Sequence, residues 1–359
     1  LISFYPLHNR IIFSGSLRGL RRELREKDIK FIVIPIVTVP PFFNFIGLKY
    51  GQKWLVAAIG LPVLLVLSFI FRIQLFHGRS YPVMIALNAL KALKPKMKII
   101  FDVRSDFPEE NITTGLWSEN SPSYRSWKKV EKKALLKSDI SVMVNKTYYS
   151  HYSNIEPEIQ TIMAPNNVIC ARYDHSDKKR ASIRNSLGFS EADIIFTYCG
   201  SLENHWHKAQ FYIEFLEIIF QRIEKCAFVF ITGNTKAISQ VLAKSSLPAE
   251  RGRVLSLPYH QVPDYLSATD YGMLFLHRPK IAMAIKTAEY LAAGCPIIVN
   301  SNIQGAAEIV KATGLGVIID DFHNFNINVL LGLNTPEHRK AAKKYARDNF
   351  DTAVVADSY

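Results

Sequence analysis

Short apolar runs rich in Ile, Val and Phe recur along this chain, separated by stretches with helical spacing of apolar residues. Strand-length runs alternating with helix-length ones point to parallel sheets, because each parallel crossover consumes about a helix's worth of chain. In the first half, strands are expected at Ile2–Tyr5, Phe31–Val37, Ile73–Phe76, Lys98–Val103 and Ile140–Val144. Helices are expected between them, for example at Leu17–Glu26 and Tyr124–Lys137. The second half repeats the alternation, with strands at Ile194–Cys199, Ala227–Ile231, Val254–Leu257, Tyr271–Leu276, Ile297–Asn300 and Gly316–Ile319. Its helices are expected at Gln210–Ile223, Lys236–Ala243, Val262–Ala268, Ile285–Ala293 and Ala306–Ala312. The chain of 359 residues therefore reads as two doubly wound α/β domains, 1–170 and 185–335, joined by the polar stretch 171–184.

Composition narrows the partners. The net charge is +13, and residues 1–160 carry +11 of it, from 23 Lys/Arg against 12 Asp/Glu. A basic first half implies an anionic partner: lipid headgroups, a lipid-linked diphosphate or nucleic acid. No helix-turn-helix, RNA-recognition or zinc-finger pattern is present, so nucleic acid is not expected. The four cysteines, Cys170, Cys199, Cys226 and Cys295, are scattered without a Cys-x-x-Cys pair, which fits a reducing cytoplasm rather than a disulfide framework or zinc site. The N-terminus has no cleavable signal pattern, and a first residue other than Met implies missing or processed residues ahead of it.

One segment departs from a soluble pattern. Trp54 to Phe71 is uncharged and almost wholly apolar, preceded by Phe42, Phe43 and Phe45. Its length would just span a bilayer core. It lies, however, between two strands expected in one sheet, and a single crossing would separate them. Two readings remain, a crossover helix buried on the sheet or a helix lying in the membrane interface with Lys49, Lys53 and Arg72 reaching headgroups. The second is the expectation adopted.

The chemistry concentrates near residues 286–296, Lys-Thr-Ala-Glu-Tyr-Leu-Ala-Ala-Gly-Cys-Pro, with the apolar Ile297-Ile298-Val299 following. Lys286 and Glu289 are three apart on one face of a helix start, and Gly294 ends that helix. This stretch resembles the donor-binding signature of two-Rossmann-domain (GT-B) glycosyltransferases of the family 4-like group, in the form found in polysaccharide assembly. The resemblance implies two Rossmann-like domains facing a central cleft, with the last helix, within 336–359, crossing back onto the first. It implies that Lys286 holds the donor diphosphate and Glu289 a ribose hydroxyl.

Other segments fit the same family. Gly200-Ser201 follows an expected strand and precedes a helix, a turn that lets backbone amides approach an anion, and Lys208 takes the place of the family's diphosphate-binding base. The loop 258–264 matches the one holding the nucleobase, making His260 and Val262 candidates. Gly15, in Ser14-Gly15-Ser16, would meet the diphosphate from the first domain. Asp102-Val103-Arg104 resembles the Asp-x-Arg form of polysaccharide-assembly members. It sits at the carboxyl edge of the sheet beside His77-Gly78-Arg79-Ser80, where α/β proteins bind ligands. Asp102 and Arg104 either act on substrate or form an ion pair fixing the loop. The family's usual first glutamate would fall at Ile281, which leaves backbone amides of residues 281–285 to contact the donor sugar. Asp270-Tyr271-Gly272 reads as structural, His205-Trp206-His207 as a loop without a metal, and Glu131 with Lys128–Lys137 as an exposed, non-catalytic face.

The expected activity is retaining transfer of a sugar from a nucleotide-diphosphate sugar, UDP-linked, to a lipid-linked saccharide. It would act in cell-surface polysaccharide synthesis on the cytoplasmic face of the membrane, as a peripheral or monotopic protein. Lys286 and Lys208 would stabilise the departing diphosphate, with Arg104 and Asp102 on the opposite side; neither metal nor cofactor is expected. The alternatives are a sugar-nucleotide 2-epimerase and an inactive membrane-docked subunit of the same fold.

Overall fold

The computed structural model describes residues 2–6, 19, 22–29, 32–36, 52–79, 81–202, 206–281 and 283–359. Gly15, residues 17, 18, 20 and 21 of the expected helix Leu17–Glu26, the aromatic residues at 42–45, Lys49 and His205 lie outside the described residues. The chain divides into two compact units, residues 1–142 with 153–161, and residues 143–152 with 162–359.

In the first unit, β1 (Ile2–Pro6) pairs in parallel with β2 (Ile32–Ile36). A four-stranded sheet follows the order β3 (Leu75–Arg79), β4 (Lys98–Asp102), β5 (Ile140–Met143), β6 (Thr161–Met163). Its β3–β4 and β4–β5 pairings are parallel. Helix α1 (Gln52–Ile70) packs on α2 (Tyr81–Leu93), which packs on α4 (Pro122–Lys137); the short α3 (Phe107–Thr113) lies between β4 and α4 in sequence. Among the described residues of α1, Gly60, Leu64 and Ser68 are buried, one side of a helix at a spacing of four. The polar Ser68 is tolerated there because its hydroxyl donates to the Leu65 carbonyl at 2.7 Å and receives the Lys94 ammonium at 3.1 Å. Among the described residues, no helix is long and apolar enough to cross a membrane.

Helix α4 starts two residues ahead of the expected Tyr124: Ser121 caps the Tyr124 N–H at 3.2 Å and Pro122 fills the first turn. Its charged face needs correcting. Glu131 is fully buried, not exposed, accepting a hydrogen bond from the Tyr81 hydroxyl at 2.9 Å and pairing with Lys128. A mixed-charge helix pattern does not reveal that a tyrosine on the neighbouring helix reaches across.

The second unit holds α5 (Lys146–Ile155), α6 (Asp177–Ser186) and a six-stranded sheet. The strands are β7 (Ile194–Cys199), β8 (Cys226–Ile231), β9 (Gly252–Leu255), β10 (Tyr271–Leu274), β11 (Ile297–Val299) and β12 (Gly316–Ile318). They run in the order β12-β11-β10-β7-β8-β9, and every pairing is parallel. Counted from β7, this is the doubly wound order 3-2-1-4-5-6, whose direction reverses between β7 and β10. Alternate residues of each strand feed two cores: Ile195, Val229 and Ile231 enter one, Phe196, Phe228 and Phe230 the other. The covering helices include α7 (Ala209–Arg222), α8 (Thr235–Leu242), α9 (Val262–Ser267), α10 (Ile285–Ala292), α11 (Gln304–Thr313), α12 (Ile327–Leu331), α13 (Pro336–Phe350) and α14 (Thr352–Ala356). The stretch expected as a linker is ordered. Tyr173 is buried in a 3-10 turn, and Arg184 of α6 is wholly buried.

Arg184 reaches the amino end of β10, where Asp270 is 3% exposed. Asp270 accepts from Arg180 at 2.6 Å, Arg184 at 3.0 Å and Arg339 of α13 at 3.0 Å. The reading of Asp270 as structural matches this geometry: an acidic side chain buried at a strand start, held by three guanidiniums.

Candidate functional site

The strand order reverses between β7 and β10, and the carboxyl ends of strands at such a reversal are the usual ligand position in an open α/β sheet. Two loops flank it. The loop after β7 begins with Gly200, whose φ of 157° and whose nearness to Tyr198 exclude a side chain, since a Cβ there would lie 2.7 Å from the Tyr198 hydroxyl. The same hydroxyl donates to the Ser201 carbonyl at 2.9 Å, and the Ser201 hydroxyl lies 3.3 Å from the Asn234 side-chain oxygen. The loop ends at Lys208, the half-buried residue before the first turn of α7.

The loop after β10 is tied to its surroundings at several points. Asn300 receives the Leu276 N–H at 3.1 Å and donates to the Leu276 carbonyl at 2.7 Å. Lys280 donates its N–H to the Asn302 carbonyl at 2.7 Å. The two loops touch: the Lys280 ammonium lies 4.6 Å from the centre of the Trp206 ring, and the His277 N–H reaches the Trp206 carbonyl at 3.4 Å. Farther along, the Asn145 and Asn166 amides donate to the carbonyls of Ile281 at 2.9 Å and Met283 at 2.8 Å. In a trans peptide the N–H points opposite the carbonyl, so Asn166 turns the Ala284 N–H away from itself. These two asparagines hold the backbone that sequence reasoning assigned to the donor sugar, and their distance along the chain hides them from a motif search.

Lys286 sits in the first turn of α10 and forms an ion pair with Glu289. Glu289 is 1% exposed at its side chain and Lys286 is 22% exposed. Burial works against the Lys286 ammonium, but the Cys199 sulfur and Glu289 carboxylate beside it outweigh that and raise its pKa above the ordinary lysine value. The end of β7 and the start of α10 are thus electrostatically coupled. They are also joined by one hydrogen bond: the Cys199 N–H donates to the Tyr290 hydroxyl at 2.8 Å. The Tyr290 ring packs so closely on β10 that a Cβ at Gly272 would fall 2.3 Å from it, which explains the glycine of Asp270-Tyr271-Gly272. Burial, then the neighbouring Glu289 and Tyr259, push the Tyr173 hydroxyl pKa upward. Tyr259 itself is exposed, with its ring centre 6.0 Å from the Lys286 ammonium. Tyr173, Tyr259 and Tyr290 were not singled out from sequence; only Tyr290, inside the Lys-x-x-Glu-Tyr stretch, carried a local signal.

Of the nucleobase candidates, His260 is exposed in the 3-10 turn Tyr259–Gln261, next to Tyr259. Val262 is 5% exposed, its side chain lies in the core, and its N–H is bonded to the Tyr259 carbonyl, so it shapes the turn rather than presenting a side chain. His207, in the loop before α7, is bonded to the Tyr212 hydroxyl at 2.9 Å, and burial depresses its pKa to about 4.

Asp102 and Arg104 lie in the first unit, at the carboxyl end of β4. The Arg104 Nε donates to Asp102 Oδ2 at 2.8 Å, and His77 Nε2 stands 3.5 Å from the same oxygen. Burial raises the Asp102 pKa, but the His77 and Arg104 hydrogen bonds outweigh it and leave the group below its ordinary value. Arg104 adopts φ 50°, a left-handed conformation uncommon outside glycine. The ion pair is therefore real, and it positions the partly exposed His77 imidazole at the sheet edge.

The family model described as Glycosyl transferases group 1 matches residues 179–349. That span contains β7 to β12, the Gly200 loop, Lys286 and Glu289. The second unit carries a group 1 glycosyl transferase domain. No curated protein matches the chain. Among solved structures, a glycosyltransferase from Rickettsia africae aligns over 99% of this chain and 95% of its own, at 15% identity and a TM-score of 0.70. Anabaena HepE in complex with UDP-glucose aligns over 94% and 87%, at 14% identity and a TM-score of 0.66. A putative UDP-N-acetylglucosamine 2-epimerase from Listeria monocytogenes aligns over 99% and 85%, at 13% identity and a TM-score of 0.55. At these identities the likeness concerns the fold, which transferases and epimerases share; the family match over 179–349 supports a glycosyltransferase.

Proposed function

We propose that this glycosyltransferase moves a sugar, with retention of configuration, from a UDP-linked donor to a lipid-linked saccharide in cell-surface polysaccharide assembly. One observation carries the donor half: Lys286 and Glu289 stand paired at the start of α10, against the end of β7 at the point where strand order reverses. HepE, of the same fold, binds UDP-glucose. An epimerase must move a proton on the sugar, and residues 278–285 offer no carboxylate for it.

The chemistry is electrostatic. As the bond from the sugar to the diphosphate breaks, negative charge grows on the departing oxygen. Lys286, Lys208 and the first-turn amides of α7 and α10 meet that charge and stabilise it more as it develops than in the ground state. Glu289 holds the ribose and so fixes the diphosphate relative to the lysines. The Ala284 amide faces the sugar, and the exposed Tyr259 ring borders the nucleobase turn. Release of Lys286 from Glu289 is the local rearrangement that donor binding requires.

The test is a thermal-shift panel of nucleotides and nucleotide sugars, followed by transfer from the stabilising donor to lipid-linked acceptors. A ligand at 100 times its Kd stabilises by about 2.7 kcal/mol, which raises the melting temperature measurably. Stabilisation by UDP and UDP-sugars with transfer to a lipid acceptor is the expected result. Absence of any shift across the panel overturns the donor assignment, and transfer only to soluble acceptors overturns the lipid assignment.

A further inference from the structure

Residues 54–71 contain no charged side chain. In the described part of α1 the buried side is Gly60, Leu64 and Ser68, while the opposite side carries Pro62, Val66, Phe69 and Ile70 in solvent. Val66 is 54% exposed, and Phe69 and Ile70 are 66% exposed. Beyond the helix end the apolar surface is extended by Phe71, Leu75 and Leu93, at 47%, 55% and 59% exposure. An uncovered apolar stripe of this kind marks a surface that meets something other than water.

Charge selects the occupant. A cavity of about 780 Å³ at the end of α1 is bordered by Phe69, Arg72, Lys94 and Lys96, with no acidic residue in its lining. The Lys94 ammonium lies 4.6 Å from the centre of the Phe69 ring, so cation and apolar surface form one patch. A second copy packed face to face would bring two such cationic clusters into one interface. An anionic surface would neutralise them. We infer that this patch docks on an anionic phospholipid bilayer, with the outward stripe of α1 at the boundary of headgroups and acyl chains and Arg72, Lys94 and Lys96 on lipid phosphates.

The inference rests on the lipid-linked acceptor of the proposed function and deepens it by naming the surface that would meet the bilayer. The patch adjoins Leu75 and Lys98, the amino ends of β3 and β4, whereas His77 and Asp102 lie toward their carboxyl ends. Docking is therefore separable from chemistry on the donor.

The experiment is flotation of the full chain with vesicles of phosphatidylcholine alone or with phosphatidylglycerol added. Wild type floats with the anionic vesicles and is released by salt. Each charge placed at such a surface is worth about 1 kcal/mol, so Phe69→Glu with Ile70→Glu lowers vesicle partitioning by at least about ten-fold. Arg72→Glu with Lys96→Glu removes the preference for phosphatidylglycerol. Both variants keep the melting temperature and nucleotide-sugar hydrolysis of wild type. Wild type that stays unbound overturns the inference, as does a Phe69→Glu/Ile70→Glu variant that floats as well as wild type. A wild-type dimer that this variant breaks, with no vesicle binding by either, assigns the face to a second copy instead. Should that variant fail to fold, the charge-reversed pair and the wild-type salt titration decide. Failed docking with intact hydrolysis leaves the donor reading standing, whereas failed nucleotide binding refutes that reading alone.

Discussion

Replacing Lys286 by Met separates two roles that the structure superimposes. The residue pairs with Glu289, which is only 1% exposed, so its loss strands a buried carboxylate. Breaking a buried ion pair by removing one partner costs about 3–5 kcal/mol, and the 22% exposure of Lys286 puts this pair near ~3 kcal/mol. For a cooperative unit of about 200 residues each kcal/mol is worth roughly 2–4 °C, so Lys286→Met should melt about 6–12 °C lower. It should also lose about 10²- to 10³-fold in turnover, the usual cost of removing one donor from a developing anion. Glu289→Gln in the Lys286→Met background removes the stranded charge. The double variant should regain most of the melting temperature and none of the turnover, as read by scanning calorimetry and donor hydrolysis on the same samples. A double variant that regains both would mean that Lys286 acts only by neutralising Glu289. A single variant that melts and turns over like wild type would refute the ion pair and the charge stabilisation together.

Three further outcomes follow from other parts of the molecule. Tyr290→Phe leaves the Cys199 N–H buried without its acceptor and should cost about 1–3 kcal/mol, seen in urea unfolding, with weaker UDP binding because the Gly200 loop begins there. Asp270→Ala strands Arg184 among its remaining carbonyl partners and should cost about 3–5 kcal/mol while leaving donor affinity of the folded fraction unchanged; equal melting temperatures would refute the role of this site. Asp106, before α3, is 5% exposed, and burial, with Glu131 and Glu109 nearby, pushes its pKa up to about 8. A folded-state pKa above the unfolded value near 3.8 means stability is full below the latter and declines as pH rises toward about 8. Wild type should therefore lose melting temperature between about pH 4 and pH 8, Asp106→Asn should flatten that decline, and identical pH profiles would refute the assignment.

The alternation of apolar runs was enough to place the sheet strands of the second unit, because a parallel strand buried on both faces must be apolar and short. Ile194–Cys199 matches to the residue, and the ends of the unit's other strands move by no more than two positions. The signature Lys286–Glu289 was legible because both residues sit on one helical turn. What escaped was every contribution from distant chain: Asn145 and Asn166 on the donor backbone, Tyr173 beside Glu289, and Tyr81 against Glu131. Spacing rules describe neighbours within an element, and these contacts are made by elements brought together only by topology. The polarity of the expected linker has the same kind of origin, since Arg180 and Arg184 are spent internally on Asp270 rather than in solvent.

Asp270 has a wider meaning than its local bonds. Its three arginines come from α6 and α13, at opposite ends of the second unit's sequence, and all four residues lie within 179–349. The carboxylate thus works as a non-covalent staple in a chain whose four cysteines are all free. It fastens α13 to a mid-sheet strand, so shortening this protein before Pro336 would not trim a tail but take away one of the three guanidiniums that hold the start of β10.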